Sequence, residues 1–450
     1  MMITEEIRAQ IDRLIEILHL EGRSSLELPG QFAYVLWRNL RNRAEWEELV
    51  GKAGQSGLDE LVEDVHLIHS ATLQNELKIL IACLLKSYPD LVKSVDNGQV
   101  LAPVMDYMLE AISLKEGKGI IFTPANIAEL MVKLVKADSA ETFWDPACGS
   151  GTLLVQAAKE RAGRYPADIQ GSEINEQMVR IAGLNAFFHG ISPECIHLED
   201  SRQKREKFDV IVANPPVVSA FGVGQEKWGD IVPTSAAHLQ FLQLIPQHLN
   251  DGGRAAVLIN ENVLFSVKQA ERGIRRMLVE KYGLRAVFSL PKGTFMPYTS
   301  AKSSLLFFGA EPGSNKEILF YELKTVGYTL DKKRRPLKEN DIPDALEVSR
   351  RSEEYYEKWV EMFGQDTAFN MDGIPVPAQW QESRFWFADR ETVRENDYCL
   401  LPAKYRPLGQ EEQARKKESC EELLERLFEL QKETDRQLKK LGDVFYGDWR

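Results

Sequence analysis

The segment Phe208-Asp209-Val210-Ile211-Val212-Ala213-Asn214-Pro215-Pro216-Val217 constrains this chain more than any other. Its first half is a short β-branched apolar run, the pattern of a strand buried on both faces of a parallel sheet. Its second half is incompatible with a strand, because two successive prolines remove two backbone N–H donors and hold φ near about −65°. The chain must leave the sheet at Asn214 in a stiff, extended turn. A polar amide therefore stands at the carboxyl edge of a buried strand, where open α/β sheets bind their ligands.

From Glu141 onward short apolar runs alternate with helical segments, which marks a doubly wound α/β domain. Candidate strands are Thr142 to Pro146, Asp168 to Glu173, Ile196 to Leu198, Phe208 to Ala213, Arg254 to Ile259, Leu284 to Ser289 and Ser304 to Phe308, so a sheet of seven strands is expected. Helices fall at Leu153 to Arg161, Gln177 to Phe188, His238 to Leu249 and Lys268 to Tyr282. Residues 1–115 read as helical: Ile7, Ile11, Leu14, Ile15 and Leu18 share one face, and similar spacing recurs over Leu58 to Ile68 and Leu73 to Leu85. Thr123 followed by Pro124 has the form of an N-cap and first-turn pair for a helix reaching about Val135, with Phe122 a packed aromatic before it.

After residue 310 the pattern weakens into a basic run, Lys332 to Arg335, and an aromatic-rich stretch with Tyr355, Tyr356, Trp359, Trp380, Phe385, Trp386 and Phe387. The final stretch repeats Cys420, Leu424, Leu427, Gln431, Thr434, Leu438, Leu441 and Phe445 at steps of four and three. That seam implies a partner helix, or equally a helix packed on its own domain. Four units are expected: a helical domain over 1–115, a catalytic domain over 116–325, an aromatic-rich extension over 326–408 and a terminal helix over 409–450.

A chain of 450 residues exceeds one small core. No apolar run approaches the ~20 residues of a membrane span. Five scattered cysteines without CxxC spacing point to a reducing cytoplasm and away from structural zinc, and no metal site is expected. The net charge of −12 is opposite to that of a protein that grips nucleic acid alone. A DNA partner then requires local basic patches or positive charge from another subunit.

Asp145-Pro146-Ala147-Cys148-Gly149-Ser150-Gly151 lies between a strand and a helix, and its glycines permit close approach of backbone to a ligand. The spacing is neither GxGxxG nor a P-loop. Glu173 ends the next strand, where a carboxylate can accept hydrogen bonds from both hydroxyls of a ribose. Asp200 follows the strand after that and can accept from an adenine amino group. Three acidic strand ends beside a glycine loop favour an adenosine-type ligand.

Taken together, Phe122-Thr123-Pro124, Asp145 to Gly151, Ser172-Glu173-Ile174-Asn175, Asp200 and Asn214-Pro215-Pro216 closely resemble the adenine-specific DNA methyltransferases, and within them the modification subunit of type I restriction–modification systems. The resemblance continues through Gly252 to Val257, Ser289 to Phe295, Pro297 to Thr299 and Arg394 to Tyr398, so it covers about residues 100 to 405. It implies a Rossmann-like methyltransferase domain and S-adenosylmethionine as cofactor. Asp145, Ala147, Gly149 and Gly151 would face the methionine part, Glu173 the ribose and Asp200 the adenine, with Phe122, Thr123 and Pro124 against the same pocket. It also implies a flipped adenine in duplex DNA, whose amino hydrogens Asn214 and the Pro215 carbonyl accept while Pro216 stiffens the turn. A specificity subunit, met through the terminal helix, and possibly a restriction subunit would complete the assembly.

The family's motif continues with Phe or Tyr, which stacks on the flipped base; here the position is Val217. Such stacking contributes on the order of 1–3 kcal/mol. Either Phe221 or Trp228 substitutes, or the chain binds cofactor while transferring weakly or not at all. Methylation of a protein glutamine shares the Asn-Pro-Pro chemistry and ranks lower, because the match beyond that motif is with the DNA enzymes.

Overall fold

The computed structural model of the protein describes residues 3–40, 70–87, 101–115, 122–137, 140–160, 168–216, 232–310, 317–363, 383–406, 431, 432 and 434. Val217, Phe221, Trp228, Trp380, the expected helix Leu58 to Ile68 and most of the heptad seam lie outside them. Gln431 and Thr434 of that seam are helical and exposed.

The first helix, α1 (Glu5–Leu20), starts where Thr4 Oγ1 accepts the Ile7 amide at 3.3 Å, with Glu5 and Glu6 in the first turn beside the positive end of the helix dipole. Its apolar face, Ile7, Ile11, Leu14, Ile15 and Leu18, is fully buried. It packs on α3 (Ala71–Ser87) and α4 (Ala102–Lys115), while α2 (Leu28–Leu40) completes the layer. This apolar cluster continues into Met178, Ile181, Leu184 and Phe188 of α7 (Glu176–Phe188). The amino-terminal helices thus sit on a helix of the sheet domain.

Among the described residues the sheet has nine strands rather than the seven expected. In chain order they are β1 (Phe143–Asp145), β2 (Ile169–Glu173), β3 (Ile196–Leu198), β4 (Phe208–Ala213), β5 (Leu249–Asn260), β6 (Leu284–Ser289), β7 (Ser303–Gly309), β8 (Glu317–Glu322) and, after a separate hairpin of β9 (Val326–Tyr328) and β10 (Pro336–Asn340), β11 (Phe385–Asp389). The order across the sheet is β11-β8-β6-β7-β5-β4-β1-β2-β3. Strands β3, β2, β1, β4 and β5 run parallel, and β7 is antiparallel to both β5 and β6. Helices α5 (Ala125–Val135), α6 (Thr152–Glu160), α7, α8 (Ala237–Gln247) and α9 (Gln269–Glu280) connect or cover them. Of β4, only Asp209 is not buried.

The two additional strands come from the region where the sequence pattern weakens. β8 pairs parallel with β6, and β11 pairs antiparallel with β8. Without them the buried Ala286, Val287 and Phe288 would form an open edge, an invitation to pair with another chain. The aromatics belong to this edge. Rings on α11 (Ser352–Phe363), which follows α10 (Ile342–Arg350), meet β11 edge-on: Tyr355 with Phe385 at 5.2 Å, Tyr356 with Phe387 at 5.4 Å and Trp359 with Phe387 at 6.0 Å. The segment Arg394 to Tyr398 is a clamp on α9, in which Arg394 pairs with Glu280 at 3.0 Å and the Tyr398 hydroxyl donates to Glu280 at 2.8 Å.

No helix among the described residues is long and apolar enough to cross a membrane. Trp386 on β11 is 1% exposed and its indole donates to the Pro402 carbonyl at 3.1 Å. Trp386→Ala should destabilise the protein by about 3–5 kcal/mol. Chemical denaturation that unfolds the sheet at wild-type denaturant would show that β11 is not part of its cooperative core.

Candidate active site at the carboxyl edge

The parallel strands β4, β1, β2 and β3 deliver their carboxyl ends to one edge. Register pairs Asp145 with Gly171, and Trp144 with both Gln170 and Ile211. Asp145, Glu173 and Asn214 therefore stand near one another, and Asp200 follows two residues beyond β3.

Between β1 and α6 the loop turns through Gly149 at φ +54° and Gly151 at φ +75°, both left-handed conformations that favour glycine. A side chain on Gly149 would meet nothing within 4 Å, so its outer face is open. The loop is held from below. Cys148 donates to the Ser172 carbonyl at 3.0 Å, and the buried Asn185 of α7 donates to the Ser150 carbonyl at 2.8 Å. Glu173 accepts the Gly149 amide at 3.1 Å through Oε2, and the Ile174 and Asn175 amides at 2.8 Å each through Oε1. Three backbone donors leave this carboxylate about one of its four acceptor positions.

Asp145 is 1% exposed, and its Oδ1 accepts the Ala147 amide at 3.1 Å. Burial pushes its carboxyl up to about 8; the nearby Glu173 charge adds to the rise and the Ala147 hydrogen bond opposes it. Asp200 has the opposite environment. Burial alone would raise it, but Arg202 outweighs burial, its guanidinium Nη2 standing 2.6 Å from Oδ2 and its amide 3.0 Å from Oδ1, and the carboxyl is held below the usual range. An adenine amino group arriving there would share a carboxylate already gripped by Arg202.

The first motif departs from its expected local role. Helix α5 begins at Ala125 with Pro124 at its cap position, and Thr123 does not cap it. The Thr123 hydroxyl instead accepts Asn214 Nδ2 at 3.0 Å, across 91 residues of sequence. With the amide placed so, its donor end goes to Thr123, and Oδ1 has no hydrogen-bond partner among the described residues. Phe122 is buried in the amino-terminal helical cluster. Pro215 is buried and Pro216 exposed.

A supporting network was not legible in the sequence. The Trp144 indole donates to Ser172 Oγ at 2.9 Å, and Glu199 accepts both from Ser172 at 2.5 Å and from Lys204 at 2.9 Å. It ties β1 to β2 and to the segment after β3 directly under the loop. A single serine before Glu173 carries no local signal of this role.

In overall structure the chain is similar to a chain in a structure of the type I R-M system concerned with complex assembly and conformational transition, with a TM-score of 0.62 at 22% identity over all of both chains. It is also similar to the type I restriction–modification methyltransferase subunit from Streptococcus thermophilus, with a TM-score of 0.58 at 22% identity, covering 78% of this chain and 73% of that one. Residues 96–414 match the family described as N-6 DNA Methylase, and the chain belongs to that family. Among curated relatives, the methylase subunit of the type I restriction enzyme EcoEI of Escherichia coli is 30% identical over 247 residues, 51% of this chain and 50% of that protein. The HindI methylase subunit of Haemophilus influenzae is 25% identical over 378 residues, 77% of this chain and 79% of that one. The chain thus spans about half the length of the first relative.

Asp145 makes the site sensitive to pH. Its folded pKa of about 8 lies above the unfolded value of about 3.9, so the native state holds the proton more tightly. The resulting stability is fully present below about pH 4 and is lost as pH rises through 8. Thermal melts across that window should show a decline in wild type that is shallower in Asp145→Asn. Parallel profiles for the two proteins would show that the carboxylate is already ionised at neutral pH.

Proposed function

We propose that this chain is the methylating subunit of a type I-like restriction–modification system, transferring a methyl group from S-adenosylmethionine to the exocyclic amino group of adenine in duplex DNA. The observation that carries the reading is the hydrogen bond from Asn214 to Thr123, which turns the donor end of a strand-end amide inward and leaves Oδ1 without a partner among the described residues. Family membership and the names of the relatives agree with it.

The residues present suit the cofactor. The outer face of Gly149 is open to a ligand, Glu173 keeps an acceptor for a ribose hydroxyl, and the buried Asp145 carboxylate gains from a cation placed beside it. When bound, S-adenosylmethionine supplies an electrophilic methyl on a sulfonium, which becomes a neutral thioether as the carbon–sulfur bond breaks. Asn214 Oδ1 and the Pro215 carbonyl accept the two amino hydrogens of an adenine rotated out of the duplex. With those hydrogens held, the nitrogen lone pair leaves conjugation and points at the methyl carbon. The new carbon–nitrogen bond forms and the surplus proton departs to solvent. Orientation supplies most of the rate, and the stiff Pro215-Pro216 turn maintains it.

Partners follow from the same reading. A specificity subunit reads the DNA sequence and meets this chain through the carboxyl-terminal heptad segment, a restriction subunit completes a restricting complex, and the assembly works in the cytoplasm. Val217 favours one competing reading, a cofactor-binding subunit with weak or absent transfer.

The test is transfer of labelled methyl from S-adenosylmethionine to duplex DNA by the chain with its specificity partner, alongside calorimetric cofactor binding. Asn214→Ala should lose transfer by at least about a hundredfold while cofactor binding persists. Thr123→Val should lower kcat by about three- to tenfold, the worth of one ordinary hydrogen bond, with little change in cofactor affinity. Wild-type protein that binds cofactor but is inert, and gains activity with Val217→Phe, would favour the binding-subunit reading instead.

A further inference from the structure

The hairpin formed by β9 and β10 belongs to neither the sheet nor the amino-terminal helices. Two strands alone are marginal in water, and every residue of β10 is exposed, so its position requires anchors. Those anchors converge on the catalytic edge. β8 runs parallel to β6 and pairs Glu322 with Ser289, so the chain leaves β8 at that edge and enters the hairpin there. Arg334, at φ +45°, donates through Nη1 to the Thr294 carbonyl and through Nη2 to Asn126 Oδ1 at 3.1 Å, with its guanidinium 5.4 Å from the Tyr328 ring centroid. Asn126 in turn donates to the Val326 carbonyl at 2.7 Å. Asn126 is three residues beyond Thr123, which holds Asn214. Gly293 permits the closest approach: at φ +92° a Cβ there would lie 2.7 Å from the Leu330 carbonyl oxygen.

The turn is rigid and its charge is one-sided. Asp331 accepts the Lys333 amide at 2.8 Å and the Arg334 amide at 3.2 Å, and the Thr329 amide donates to the Arg335 carbonyl at 2.8 Å. Between residues 324 and 340 six Lys and Arg residues stand against two carboxylates, Asp331 and Glu339, in a chain of net charge −12. Lys332, Lys333, Arg335 and Lys338 are exposed. Arg334 anchors, Arg335 lies exposed with its guanidinium 3.8 Å from Asp331, and Lys332, Lys333 and Lys338 are exposed around them.

We propose that this hairpin is a DNA-backbone contact arm, fixed beside the catalytic amide by Arg334 and presenting Lys332, Lys333, Arg335 and Lys338 to the phosphates of the duplex. The inference rests on DNA being the substrate of the site. A rigid basic projection on an acidic chain concentrates phosphate attraction at the one edge where a rotated base must enter, and the acidic remainder repels DNA from other faces. Phosphate contacts position without reading sequence, which suits a subunit that leaves sequence to a partner.

The test measures binding of the full-length chain to a fluorescently labelled duplex of arbitrary sequence across a salt series, by anisotropy. Lys332→Ala/Lys333→Ala should make the slope of log affinity against log salt shallower by about 2, one unit for each phosphate contact removed. A control with the same charge change at the opposite sheet edge, Lys136→Ala/Arg350→Ala, should leave the slope as in wild type. An unchanged slope in the hairpin variant, an equal change in the control, or no wild-type binding at the lowest salt overturns the proposal. Binding of an acidic protein partner by the arm would appear as the first of these. If the slope falls as expected but no methyl reaches DNA, the proposed activity fails and the arm stands; normal methylation with an unaltered slope is the reverse.

Discussion

Parallel pairing of β1 with both β2 and β4 is the constraint on which the site depends. Strands that run in one sense end on one edge, so residues separated by up to 69 positions, Asp145 and Asn214 among them, arrive together. What holds the pairing is a buried seam beneath the loop. Trp144 stacks on Phe208 with ring centroids 5.1 Å apart and donates to Ser172, so one indole joins three neighbouring strands. Such a side chain is apolar enough to fill the core and polar at the single point where a partner exists.

The edge carries carboxylates in three different states, set by what surrounds each. Glu173 is held by backbone amides, Asp200 by a guanidinium, and Asp145 by one amide in a buried place that disfavours its charged form. Only the last is left wanting a positive partner. The same logic governs the amide: Asn214 has its donor end on Thr123, and its acceptor end has no partner among the described residues.

Beyond the seven-strand frame, the described residues between 317 and 406 extend and equip the sheet. β8 and β11 close the exposed edge beside β6 under an aromatic layer from α11. The hairpin between them lies over the catalytic edge, and Arg334 joins it to the turn at Thr294 and to the start of α5. One half-buried guanidinium thereby links the accessory segment to the strand-end motifs.

The sequence by itself determined which segments build the carboxyl edge of the sheet and which polar residues stand at it. Prolines after a β-branched run, glycines between strand and helix, and acidic residues at strand ends are local signals, because each follows from what a backbone of that composition can do within a few residues. The strands from Phe143 to Gly309 and the buried face of α1 were legible for the same reason. Only the tertiary structure decided the partners. Thr123 has the local form of a helix cap and became the orienting group for Asn214, Asp200 took Arg202, and the weakly patterned Glu317–Glu322 and Phe385–Asp389 became strands of the main sheet. Local propensity sets what a segment can form, whereas hydrogen-bond partners and edge strands are chosen by whatever distant group the folded chain brings within about 3 Å.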